Sequence, residues 1–176
     1  MEPSDQFSIG YYIQAVTGLL GRPRRFFGDL PGDLGIYKPL GVLLVSSLVF
    51  VGASLISLMP SRPIVVGSIL LVNAVGMALI GAVVGFGTAT FVIGRRVAFS
   101  RFFGIYALSS GVTLLAAWVP FFLWLTEPWR WWLIGTGMMN ACGFRLSQTL
   151  LIIGLSVLVI FLLFWSVMPL LSPPGG

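Results

Sequence analysis

The chain has 176 residues, of which 57% are hydrophobic and 9% charged. A soluble domain carries about a quarter charged residues, so ten basic and five acidic side chains exclude a soluble enzyme. The apolar content excludes intrinsic disorder, and a single cysteine excludes a disulfide scaffold. The remaining class is an all-α membrane protein with several spans.

In chain order, the first feature is polar. Met1 to Gln6 carries Glu2 and Asp5, and no apolar stretch follows directly, so no signal peptide is expected. Ile9, Tyr12, Ile13, Val16, Leu19 and Leu20 then recur at helical spacing, which predicts a short interfacial amphipathic helix. Next come Arg22, Arg24 and Arg25 beside Phe26 and Phe27. Such arginines sit well among anionic headgroups, each adding about 1 kcal/mol of attraction, while the two rings enter the acyl boundary. With Lys38, Arg95, Arg96 and Arg101, they form the candidate contacts to anionic lipid or to a partner. The plainer role of these cations is to fix topology. Residues 1–38 are read as one cytoplasmic segment.

Charges then divide the chain into apolar runs. Charge-free stretches of 23, 32, 25, 14 and 31 residues follow Lys38, Arg62, Arg101, Arg130 and Arg145. A spanning helix needs about 20 apolar residues, and a charge at the bilayer centre costs about 2.5–3.5 kcal/mol. Spans are therefore expected at about 39–59, 63–93, 103–125 and 147–170, with residues 172–176 a short tail on the far side. Pro39, Pro63 and Pro128 suit helix starts, and Pro120 is expected to kink the third span. Residues 129–144 are apolar but short and rich in glycine, so they either cross as a fourth span or re-enter.

Orientation favours crossing. With five spans and a cytoplasmic N-terminus, 8 cations lie inside and 2 outside, Arg62 and Arg130. With four spans Arg145 moves outside and the division weakens to 7 and 3. The five-span arrangement also places all four tyrosines, Tyr106 included, near the inner surface and most tryptophans near the outer one, as interfacial rings prefer.

Small residues mark the packing surfaces. Gly81 and Gly85 form GxxxG, and Ala107 with Gly111 repeats the spacing. Close backbone approach at such residues drives association in lipid, here expected within the bundle. Asn73, Asn140 and Gln148 are the polar side chains expected at membrane depth, each bonding across helices or facing a wet pocket.

Reactive groups are scarce. The chain has no histidine, which removes His-based haem, zinc and general acid–base sites. Cys142 reads as packing. Glu2, Asp5, Asp29, Asp33 and Glu127 all fall outside the expected spans, leaving no buried carboxylate relay. Walker, dinucleotide and GxSxG motifs are lacking. No catalytic residue, metal or cofactor is expected, nor nucleic acid as a partner.

Four stretches resemble the Yip1-domain family of small multispanning proteins. They are Pro23 to Phe27 with Tyr37 to Leu40, the basic loop Arg95 to Phe103 leading into Tyr106 and Ala107, Trp131 to Gly135, and Phe144 to Ser147. Together they cover most of the chain from about Gly21. The resemblance implies five spans, a cytoplasmic N-terminus and a far-side C-terminus. Eukaryotic members of that family serve vesicle trafficking through a long N-terminal region that binds small GTPases, and only about 38 residues stand here. One lysine against nine arginines leans towards a bacterial inner membrane.

The expected function is that of a non-enzymatic scaffold or accessory subunit, bound to lipids and to other membrane proteins or to itself. A channel or carrier for a neutral solute, and a lipid-binding or membrane-shaping protein, are the rival readings.

Overall fold

A computed structural model describes residues 7–31 and 35–171. Glu2, Asp5 and Asp33, and the tail at 172–176, lie outside these residues. The described residues are helical throughout, without strands. Helix α1 is Ile9–Gly21 and α2 Pro23–Gly28. Helix α3 is Tyr37–Leu58, and α4 is Pro63–Gly87, continued by a π-helical turn over Thr88–Val92. Helix α5 is Phe99–Ala117, α6 Leu123–Cys142 and α7 Leu146–Leu171.

Local chemistry sets the ends. The Ser8 hydroxyl accepts the Tyr11 N–H at 3.2 Å and caps α1. Pro63 opens α4 where no donor is needed. Gly143, at φ 65°, closes α6 in the left-handed conformation that glycine adopts freely. Gln148 Oε1 accepts the Arg145 N–H at 3.1 Å, the reach-back half of a capping box at the start of α7. At the end of α4, the Thr88 hydroxyl donates to the Val84 carbonyl at 3.0 Å, and the backbone widens there into the π turn.

Among the described residues, three helices are long and apolar enough to cross a membrane: α3, α4 with its π turn, and α5. Helix α7 is apolar from Leu146 to Leu162. Helix α6 has 20 residues but carries Glu127 and Arg130. Three expected boundaries differ. The third helix starts at Phe99, four residues before the expected 103. The third helix ends at Ala117, not near 125, and Pro120 stops it instead of kinking it. Proline has no N–H for the Ala116 carbonyl, which takes the Val119 N–H at 3.3 Å. A 3-10 turn over Pro120–Phe122 follows, so α6 begins six residues before the expected 129. Pro128 sits inside α6, in its second turn, where one backbone bond is lost near the helix end.

Helix α5 is the axis of the fold. Every residue from Phe102 to Thr113 is buried, and α5 packs mainly on α3, α4 and α6. Two thirds of its central stretch is enclosed, against little more than a quarter for α3 and α4. The enclosed helix is the one built from Gly104, Ala107, Ser109, Ser110, Gly111 and Thr113, as small residues let neighbouring backbones close in. Helices α3 and α4 turn Leu48, Ile56, Ile69, Val72, Ile80 and Val83 outward.

Candidate functional site

The two ends of the bundle differ. One end gathers α1, α2, the 93–98 loop and the α6–α7 connection. Three of its cations, Arg95, Arg101 and Lys38, meet other elements of the fold. The Arg95 guanidinium donates to the Cys142 and Gly143 carbonyls at 3.1 and 3.3 Å and lies 5.2 Å from the Phe144 ring centre. Arg101 donates to the Ala141 carbonyl at 3.2 Å. Both satisfy the open carbonyls and the negative end of α6. Lys38 Nζ stands 5.6 Å from the Tyr11 ring centre. Arg22, Arg24, Arg25 and Arg96 are exposed, with Arg25 3.5 Å from Asp29 across one helical turn. Arg22, Arg25, Phe26 and Asp29 line a shallow groove between α1 and α2.

The rings of this end do not serve lipid as expected. Phe27 is wholly buried, and a methyl group built on Gly137 of α6 would sit 3.1 Å from it and 2.6 Å from Ile105. A missing side chain on α6 therefore makes the socket for α2. Phe26 is half-buried, covers Gly18 and meets Phe27 edge-on at 5.9 Å. Helix α1 buries Ala15 and Leu19 against the bundle and leaves Ile9, Ile13 and Leu20 exposed. Tyr12 Oη and Ser46 Oγ of α3 share a hydrogen bond of 3.2 Å. The buried Tyr11 hydroxyl has no partner, and burial raises its pKa above the usual tyrosine value.

The small-residue pairs serve the interior. A methyl group on Gly81 would come within 2.9 Å of the Tyr106 ring, and one on Gly85 within 2.6 Å of its hydroxyl. Tyr106 is thus a core residue held in a slot on α4, not a ring at the inner surface. Ala107 is fully buried, and Gly111 brings α5 against Val42 and Leu43 of α3.

Asn73, Asn140 and Gln148 do not converge. Asn140 donates to the Thr136 carbonyl of its own helix at 2.7 Å, and Gln148 caps α7. Asn73 is exposed on α4, about 15 Å from that helix's start at 1.5 Å per residue.

At the other end the helices part around a charged cleft. Glu127 and Arg130 form an ion pair of 2.7 Å across one turn of α6, with side chains 46% and 22% exposed. The guanidinium lies 5.4 Å from the Trp131 ring centre. The cleft has two lobes that share Met77, Ser110, Glu127 and Arg130. One lobe, of about 420 Å³, opens towards α3 past Asn73, Phe50 and Leu114. The other, of about 330 Å³, runs between α4 and α7 past Gly81, Tyr106, Val157, Ile160 and Phe161. The Tyr106 hydroxyl is buried. The Ser156 hydroxyl of α7 is the polar group that interacts with it.

Sequence reasoning missed this pair, because it set Glu127 in an outer loop and Arg130 at the outer start of the segment 129–144. The available signal was their i,i+3 spacing beside the apolar run that starts at Trp131. Comparison with protein-family models, with curated proteins and with solved structures returns no match.

Proposed function

We propose that the chain is a non-enzymatic integral membrane protein that works by holding a partner helix, as a scaffold or accessory subunit of a membrane assembly. In this reading α3 to α7 are five spans of a bundle similar to Yip1-domain proteins, and α1 and α2 cover its cytoplasmic end. The carrying observation is the outward face of α4. Ile69, Val72, Asn73, Ile80 and Val83 are exposed there around Gly76, beyond which lies open space. An open glycine between β-branched neighbours lets another backbone approach, and an amide in hydrocarbon finds its bond on a neighbouring helix. The inner GxxxG supports the same reading by elimination, since Tyr106 already fills it.

The charge distribution supports a cytoplasmic basic end, with eight of the ten cations near α1, α2 and the two connections beside them. The carrier reading draws no support from Asn73, Asn140 and Gln148, which stand apart. Purification in mild detergent tests the proposal by mass measured in solution. The wild type should run as an assembly heavier than one chain, and Gly76→Leu should release it. A wild type that runs only as a lone monomer, with nothing attached, contradicts the reading.

A further inference from the structure

We infer that the cleft at Glu127 and Arg130 binds the headgroup and upper acyl chain of a zwitterionic phospholipid. Three observations carry this. First, an ion pair at the edge of an apolar cleft offers both signs of charge 2.7 Å apart. An ammonium–phosphate headgroup matches that pair as a dipole, the phosphate on the Arg130 guanidinium and the ammonium on the Glu127 carboxylate. An anionic headgroup finds only half a match, because Glu127 repels it.

Second, the lining changes inward in the order a lipid needs. Ser110 lines the cleft beside the ion pair, and Tyr106 stands four residues away on the same helix, about 6 Å along the axis. Tyr106 is 2% exposed, with its hydroxyl directed at Gly85 of α4. The lining thus passes from charged to apolar within one helical turn of the ion pair, where the Tyr106 ring walls the lobe. Third, beyond Tyr106 the lobe is lined by Val157, Ile160 and Phe161, which suit an acyl chain. At about 330 Å³ the lobe is at the small end of ligand pockets, so it holds a headgroup and part of one chain, with the rest in the bilayer. The inference needs the bundle to lie in a bilayer but does not rest on the scaffold reading.

The test reconstitutes the full chain in nanodiscs of equal phosphatidylethanolamine and phosphatidylglycerol. The protein is then extracted in mild detergent, and the phospholipids retained per chain are counted by mass spectrometry. The wild type should retain phosphatidylethanolamine in excess over the bilayer composition. Arg130→Gln should lower that retention about tenfold, the loss of one charge-assisted hydrogen bond, and Arg130→Lys should restore part of it. Glu127→Gln should exchange the preference, because the freed guanidinium then favours phosphatidylglycerol. Equal retention in wild type, Arg130→Gln and Glu127→Gln overturns the inference, as does a wild type that retains no lipid or prefers phosphatidylglycerol. Where Arg130→Gln unfolds, the exchange in Glu127→Gln decides alone.

Discussion

The two ends of the bundle use arginine in opposite ways. At the basic end Arg95 and Arg101 donate to the last carbonyls of α6, and α2 plugs the seam with Phe27. At the far end Arg130 bonds a carboxylate on its own helix and faces a cleft. The same side chain closes one end and furnishes the other. The difference lies in what surrounds it, since a helix C-terminus offers unpaired carbonyls and the first turns of α6 do not.

The largest effect should come from the plug. Phe27→Ala empties a fully buried socket and should cost about 3–5 kcal/mol, read as a lower thermal midpoint in detergent. A midpoint near wild type would mean that α2 does not close the basic end. Next, Gly85→Leu presses on the Tyr106 hydroxyl and should cost about 1–3 kcal/mol. Combining it with Tyr106→Ala should recover part of that loss, and simple additivity of the two changes would break the slot assignment.

Smaller effects separate the arginines. Arg95→Gln and Arg101→Gln should each cost about 1 kcal/mol, whereas Arg96→Gln, at an exposed site, should stay within about 0.5 kcal/mol. Equal losses at all three positions would remove the contrast between capping and exposed cations. The smallest effect is pH-dependent. Burial favours the neutral form of Tyr11, so its contribution to stability is present below the ordinary tyrosine pKa and is lost as pH rises through the raised value. Tyr11→Phe should flatten that alkaline decline in a stability profile against pH, and an unchanged profile would assign the decline elsewhere.

The positions of the helices were legible because charges and prolines punctuate apolar runs. Helix α4 with its π turn ends at Val92, one residue from the expected boundary, and α7 spans Leu146–Leu171 against an expected 147–170. The α5–α6 corner was not legible. Pro120 reads equally as a kink or a stop in one dimension, and only the packing of α6 back along α5 decides. That corner also hid the cleft, because moving the start of α6 to Leu123 carries Glu127 from a loop into the helix that holds Arg130. The roles of Arg95, Arg101 and Phe27 were hidden for a different reason. A basic and aromatic stretch looks alike whether it meets lipid headgroups or the carbonyls and glycines of a helix distant in sequence, such as α6.

The comparison of ends requires that α6, despite its charged first turns, crosses the bilayer as the fourth of five spans. Reporters fused in turn to the N-terminus and the C-terminus, one active only in the cytoplasm and one only outside, measure this directly. The account predicts opposite sides, with the N-terminus cytoplasmic. Both termini on the same side would mean an even number of crossings and would contradict it.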